Sequence, residues 1–298
     1  MKKFLLGLVA LILIYAAAAF SFHLPPFSSN DTQKQGSLHV LKVGIMAGSK
    51  QEDEKWKIIS KNAKKLGIKL KFTRFTDYSQ PNAALQNGDT DVNSFQHYAF
   101  LSNWNKENKG TLVAVGETVL GPGRLYSGVD ASGKDKYSKV SQIPDGATVA
   151  IANDVTNEAR ALFLLRAAGL IKLNDNENPA LKDITDNPHN FKFKEVAADQ
   201  TLPALKDVDA AVISAAYVDA AGKDINSAIY VWTANNKDTH QWVNIIAAQS
   251  KDKNDKYVKA FVKAYQSDNV ANYINDTEKG AEIAAWKGAP QPKETKNN

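Results

Sequence analysis

Asn157 and Arg160, three positions apart in "NDVTNEARALFLLRAAG" (153–169), have the types and the spacing to hold a carboxylate. Residues three apart are neighbours on a helix. A helix that opens just before them therefore presents an amide and a bidentate guanidinium on one side, next to the free N–H groups of its first turn. Thr156 is the expected N-cap, with Asn157 at the first helical position and Arg160 one turn later. A helix N-terminus carries roughly half a positive charge, so an arginine there is unfavourable by ~0.3–1 kcal/mol unless an anion is held nearby. The competing reading is an ion pair with a neighbouring acid, Glu158 or Asp154, and the segment alone leaves both open.

A second cluster, "DYSQPNAALQNGDTDVNSFQHYAF" (77–100), gathers Tyr78, Phe95, His97, Tyr98 and Phe100 at the end of a strand. Rings with one polar tip can line an apolar slot, and a thioether gains from contact with ring edges. The same pattern also serves as core, with His97 as a satisfied structural histidine.

Catalytic signatures are missing from the sequence: it contains no G-x-S-x-G, P-loop, H-E-x-x-H or G-x-G-x-x-G, and "GPG" at 121–123 reads as a turn. His23, His39, His97, His189 and His240 include no pair four apart, so no metal and no cofactor is expected. The chain has no cysteine, which excludes disulfides, thiolate metal sites and a lipid-modified cysteine. Most carboxylates sit in lysine-mixed stretches such as "QEDEK" and "SKDKNDK", the composition of solvated faces.

The elements that must position these residues read as alternating strands and helices. "VLKVGIMAG" (40–48) is an apolar strand, followed by a helix with Trp56, Ile59, Ala63 and Leu66 on one face and Gly67 as its stop. "IKLKFTRF" (68–75), "TDVNSF", "TLVAVGETVL" and "ATVAIAND" continue the strands, the last leading into the helix of Arg160; "FKFKEVAA", "DAAVISAAY", "SAIYVW" and "WVNIIAAQ" follow. In "DKYVKAFVKAYQS", apolar residues at 257, 258, 261, 262 and 265 make a helical stripe that packs on the first lobe. The order predicts an α/β fold with largely parallel sheets in two lobes and a cleft between them. Ligands of open α/β sheets bind where strands deliver the chain to helix N-termini.

With 298 residues, 43% of them hydrophobic, the chain has enough apolar surface for such a pair of lobes. "MKKFLLGLVALILIYAAAAFSF" has the charged start and apolar run of an export signal, and its 19 uncharged residues from Phe4 to Phe22 approach the ~20 that span a bilayer. Residues 1–22 are thus a signal peptide or an N-terminal membrane anchor, and the folded part is extracytoplasmic. Apart from Lys2 and Lys3, 35 basic residues face 32 acidic ones, with no arginine cluster or basic-aromatic interleaving, so nucleic acid is not an expected partner. The remaining boundaries are a tether at 23–38, lobe 1 at 39–125, lobe 2 at 126–228, a return to lobe 1 at 229–288 and a flexible tail at 289–298.

The blocks "DYSQPNAAL", "FQHYAFL", "LYS" (125–127), "PDGATVAIANDVTNEARALFLLRAAGLI" and "VDAAVISAAYV" resemble the methionine-binding lipoprotein family (NlpA type) of ABC importers, over about Val43 to Trp286. The resemblance implies a periplasmic-binding-protein-like (type II) fold, an amino-acid ligand in the cleft, and delivery to an ABC permease with its ATPase. It places Asn157 and Arg160 on the ligand backbone, Arg160 on the carboxylate, and Tyr78, Phe95, His97 and Phe100 around the side chain; Asn244 in "WVNIIA" matches a further polar contact. One departure matters. Where the family usually has Asn-Gly-Asn-Tyr, this chain has Ser214-Ala215-Ala216-Tyr217. Losing a charge-assisted hydrogen bond costs ~1.5–3 kcal/mol, so Ser214 or a water takes over, or the ligand is a dipeptide or a methionine derivative. The competing classes are an extracytoplasmic enzyme using His97 or a carboxylate, and a surface interaction protein that kept the fold and lost the ligand.

Overall fold

The computed structural model describes residues 37–232, 237–278 and 282–290. The signal or anchor segment and nearly all of the tether lie outside them, as does the tail beyond Pro290.

Strands β1 (His39–Met46) and β2 (Ile68–Phe75) flank helix α1 (Lys50–Lys65), whose first turn is capped by the Ser49 hydroxyl and whose end is turned by Gly67 at φ +82°. Glycine reaches that left-handed backbone without steric cost, which is why the sequence stop works. Helix α2 (Gln80–Asn87), strand β3 (Val92–His97), helix α3 (Tyr98–Asn108), and strands β4 (Leu112–Glu117) and β5 (Val119–Leu120) complete the first passage. The chain then enters β6 (Gly123–Ser127), β7 (Thr148–Ala152), α4 (Val155–Ala167), the short pair β8 (Lys172–Leu173) and β9 (Ile184–Asp186), β10 (Lys192–Val196), β11 (Ala210–Val212), α5 (Ala215–Ala220) and β12 (Tyr230–Trp232). It returns through β13 (Asn244–Gln249), α6 (Lys256–Tyr265), α7 (Asp268–Glu278) and β14 (Ile283–Ala284).

Two five-stranded sheets result, ordered β2-β1-β3-β13-β4 and β10-β7-β11-β6-β12. Each is parallel at its centre, β1 with β2 and β3, β7 with β10 and β11, and becomes antiparallel where the chain crosses between lobes, at β13 and at β6 and β12. The crossings run through β5 and Gly121-Pro122 on the way out and after Trp232 on the way back. Boundaries drawn at 125/126 and 228/229 therefore fall slightly to one side of them, because β6 and β12 pair with each other in the second sheet.

Each lobe has its own core. Leu41, Val43 and Ile45 of β1 pack with Trp56, Ile59 and Ala63 of α1 and with Val258, Phe261 and Tyr265 of α6, as the apolar stripe requires. Val149 and Ile151 of β7 pack with Leu162, Leu164 and Leu165 of α4. Ala289, expected in the flexible tail, is 8% exposed and belongs to the first core, its N–H bonded to the Trp286 carbonyl. Among the described residues no helix is long and apolar enough to cross a membrane.

Candidate ligand-binding cleft

Parallel strands deliver polar residues to one place. The C-terminal ends of β3, β7 and β11 carry His97, the turn into α4 and Ser214, and these line a cleft of roughly 940 Å³ including its open mouth. All eight residues singled out in the sequence, Tyr78, Phe95, His97, Phe100, Asn157, Arg160, Ser214 and Asn244, line it.

The local structure at α4 differs from expectation. Asp154, not Thr156, is the N-cap: its backbone is extended and its Oδ1 accepts the Asn157 N–H at 3.0 Å, while Thr156 turns inward and donates to the same carboxylate. An ionised cap accepts more strongly than a hydroxyl and complements the helix dipole, so the start shifts two residues earlier. Asn157 becomes the third helical residue and Arg160 the sixth. Since the dipole's effect falls off within the first turn, the positive field is not what sets Arg160 apart.

Its surroundings do that. Neither Glu158 nor Asp154 pairs with Arg160; Glu158 accepts the Leu181 N–H and Asp154 is taken up by the cap. Among the described residues the guanidinium has no carboxylate partner. One terminal nitrogen donates to the Gly121 carbonyl at the crossing, the group lies 5.5 Å from the Trp242 ring centroid, and the Nε hydrogen is buried without an acceptor. Burial, with Arg124 nearby, lowers its pKa to about 10, which leaves it charged at neutral pH. A desolvated cation with donors to spare and no internal counter-ion is a receptor for an anion.

Asn157 also departs from expectation. Its amide nitrogen is spent on both oxygens of Asp154, at 3.1 and 3.0 Å, and its Oδ1 lies 3.3 Å from His97 Nε2. His97 Nδ1 accepts the Phe100 N–H at 3.1 Å, which assigns the ring proton to Nε2. Burial lowers the His97 pKa to about 3, so it is a neutral donor holding Asn157 in place. Asn157 thus keeps its amide hydrogens on Asp154, and its Oδ1, shared with His97 Nε2, has a second lone pair able to accept from an ammonium.

The aromatic cluster forms a slot rather than a sealed core. Tyr78 meets Phe95 at 5.8 Å and Phe100 at 6.0 Å between centroids, and Phe95 meets Phe100 at 5.7 Å, the last two contacts edge to face. Tyr217 packs against Tyr78 at 4.9 Å between centroids, and its phenol is buried without a partner. The Tyr78 hydroxyl lies 2.8 Å from Ser214 Oγ, so the serine is engaged across the cleft, and burial raises the Tyr78 pKa to about 12.

Three residues escaped the sequence reading. "GPG" is more than a turn, because the Gly121 carbonyl orients Arg160, and Arg124, one residue beyond the motif, is 4% exposed and lines the cleft. Trp242 faces Arg160 with its ring and meets the His97 ring edge to face at 5.1 Å between centroids. An arginine directly after a turn of small residues, and a tryptophan two positions before Asn244, were the available signals.

The family model described as NlpA lipoprotein matches residues 41–286. The D-methionine-binding lipoprotein MetQ of Escherichia coli O157:H7 is 36% identical over 252 residues, covering 83% of this chain and 88% of the relative. The structure of the substrate binding protein of a methionine transporter from Streptococcus pneumoniae superposes with a TM-score of 0.77 at 42% identity, covering 83% of this chain and 96% of that one. A nutrient binding protein from Burkholderia cenocepacia, bound to methionine, gives 0.75 at 38% identity, covering 83% and 100%. The matched span holds both lobes and every residue of the cleft described above, and the chain therefore belongs to the NlpA lipoprotein family.

Proposed function

We propose that the chain is the extracytoplasmic substrate-binding component of an ABC importer, and that its ligand is methionine or a closely related amino acid. The observation that carries this reading is Arg160: a desolvated guanidinium, without a carboxylate partner among the described residues, in the same cleft as the rings of Tyr78, Phe95 and Phe100. The carboxylate takes Arg160, the side chain enters between Tyr78, Phe95 and Phe100, and the amino group faces Asn157 and Asn244. The relatives named for methionine support the ligand class. Ligand binding closes the two lobes, and the closed form is what docks on the permease. His97 has no catalytic part in this scheme, since both ring nitrogens are committed to Phe100 and Asn157.

Attachment to the membrane rests on residues 4–22, because the chain has no cysteine to lipidate. Met1 retained in membrane-bound protein supports this, and quantitative release into the medium rules it out.

The test of function is mass spectrometry of small molecules that co-purify with the chain, followed by calorimetry of the stripped protein with L-methionine. An amino acid recovered in stoichiometric amount, and saturable binding, are expected. Failure of any amino acid to bind or to raise the melting temperature favours the surface interaction protein instead. A longer ligand is the second reading, favoured by Ala216, whose methyl leaves the amino end of the cleft open.

A further inference from the structure

Strand β3 is irregular where it enters the cleft. Its register against β13 pairs His97 with Asn244 and Ser94 with Ile246, and between those pairs β3 has two residues, Phe95 and Gln96, where β13 has only Ile245. This is a β-bulge, and bulges re-aim the side chains beside them. In an unbroken strand, residues three apart point to opposite faces. Here Asn93 and Gln96 share a face, with Gln96 Nε2 donating to Asn93 Oδ1 at 3.1 Å.

A third amide closes the group. Asn82, in the first turn of α2, donates to Gln96 Oε1 at 2.7 Å and accepts from Gln96 Nε2 at 2.6 Å and from Asn93 Nδ2 at 2.8 Å. Asn93 Nδ2 also reaches the Pro81 carbonyl at 3.3 Å. Asn82 and Asn93 are 0% exposed and Gln96 is 2% exposed. Amides in so dry a place are costly unless their partners are well placed, and a fully engaged network specifies one arrangement. Apolar side chains could fill the same space, but they would not fix which residues of β3 form the bulge.

The amide cycle touches both sides of the aromatic slot. Phe95 is the bulge residue beside Gln96, and Tyr78 lies just ahead of α2, four positions before Asn82. Ser79 makes no side-chain cap to α2, and Asn82 ties that first turn to the sheet instead. The Tyr78 and Phe95 rings then meet at 5.8 Å between centroids. Gln96 borders the cleft, yet its amide is engaged with Asn82 and Asn93.

We propose, resting on the amino-acid reading above, that Asn82, Asn93 and Gln96 are positioning residues: their amide cycle holds the β3 bulge against α2 and so sets Phe95 and Tyr78 at the separation that admits the ligand's side chain. The amides act through the rings, so their effect on binding depends on Phe95.

A double-mutant cycle with L-methionine, measured by calorimetry on the full chain stripped of co-purified ligand, tests this. Gln96→Met keeps the length of the side chain and removes its hydrogen bonds. It should weaken methionine binding about tenfold in the wild-type background and about twofold or less in Phe95→Ala, where no ring is left to aim. A merely structural role gives equal losses in both backgrounds, and that result overturns the inference. Should a variant fold or bind too poorly for the cycle, Gln96→Glu is the second arm. Its neutral carboxyl keeps an acceptor and one donor for Asn82, whereas its carboxylate presents only acceptors to the Oδ1 atoms of both asparagines. Methionine affinity of this variant should fall about tenfold from about pH 5 to about pH 8. Wild type should stay level, because His97 at about 3 and Arg160 at about 10 titrate outside that window. A level profile in the variant overturns the inference and leaves the amino-acid reading standing. Wild-type protein that binds no amino acid overturns both together.

Discussion

Arg160 is held by the carbonyl of Gly121 and the face of Trp242, neither of which neutralises it, so the protein bears its desolvation until a ligand arrives. Arg160→Ala should therefore weaken methionine binding by roughly 2–5 kcal/mol, the cost of leaving a buried carboxylate unpaired, while the melting temperature of the ligand-free protein does not fall. Calorimetry and thermal denaturation of the same preparation test both halves; wild-type affinity in a folded variant sinks the assignment. Arg160→Lys should also bind poorly, because one ammonium cannot donate as a planar fork. His97 makes a different prediction. Its folded pKa of about 3 lies below the ordinary value of 6.5, so between those values the unfolded chain binds one proton more than the folded one. Stability from this group is complete above pH 6.5 and is lost, at up to about 1.4 kcal/mol per pH unit, as pH falls toward 3. Urea denaturation at pH 7 and pH 5 should show a larger loss in wild type than in His97→Gln, and equal losses would mean that His97 protonates freely in the fold.

Among the elements, α4 does most to build the site, because its first turn ties a cap, a proposed ligand contact and a lobe contact together. Asp154 caps the helix and holds the Asn157 amide, and Asn157 in turn receives His97 from the other lobe. Asp154→Ala should cost about 0.5–2 kcal/mol of stability through the cap and additionally lower ligand affinity, since Asn157 loses its orientation. Asp154→Asn keeps an acceptor for the cap and should recover most of the stability. Thermal melts with and without methionine separate the two effects; a variant that melts early yet binds as wild type would confine Asp154 to capping. The strand ends matter equally: β3 sets His97 opposite Asn244 of β13, so the antiparallel return strand, not a helix, brings the last polar residue to the cleft.

At the scale of the molecule, hydrogen bonds among the described residues join the lobes, Ser49 N–H to Asp219, Tyr78 with Ser214, and His97 with Asn157 among them. Each is worth only about 0.5–1.5 kcal/mol net, so the closed arrangement is poised to depend on ligand. The absence of native cysteine makes this measurable by paired spin labels, with Lys69→Cys on an exposed position of the first lobe and Lys182→Cys on the second. Adding methionine should shorten and narrow the distance distribution, and Asp219→Ala should lengthen it in the ligand-free protein. Identical distributions with and without ligand would show that capture does not involve closure.

Local features were legible in the chain before folding. Apolar periodicity and the stop at Gly67 gave α1 its face and its end, alternation of strand and helix gave the α/β lobes, and the residue types in two short blocks named six of the residues that line the cleft. These are decided within a few residues, where propensity, capping and burial act. Tertiary structure decided what those residues do. Asn157 became a partner of His97 because the folded chain set the two lobes side by side, while Asp154 had taken its amide hydrogens. Tyr78 found Ser214 at a separation of 136 residues, and Arg160 found Gly121 at 39. The charges around Lys55 were invisible for the same reason: Glu52, read within the solvated stretch QEDEK, and Glu282 are drawn together over 230 positions around a buried lysine, and only the folded packing takes water away from them. Electrostatic meaning depends on desolvation, and desolvation is a property of the assembled lobes.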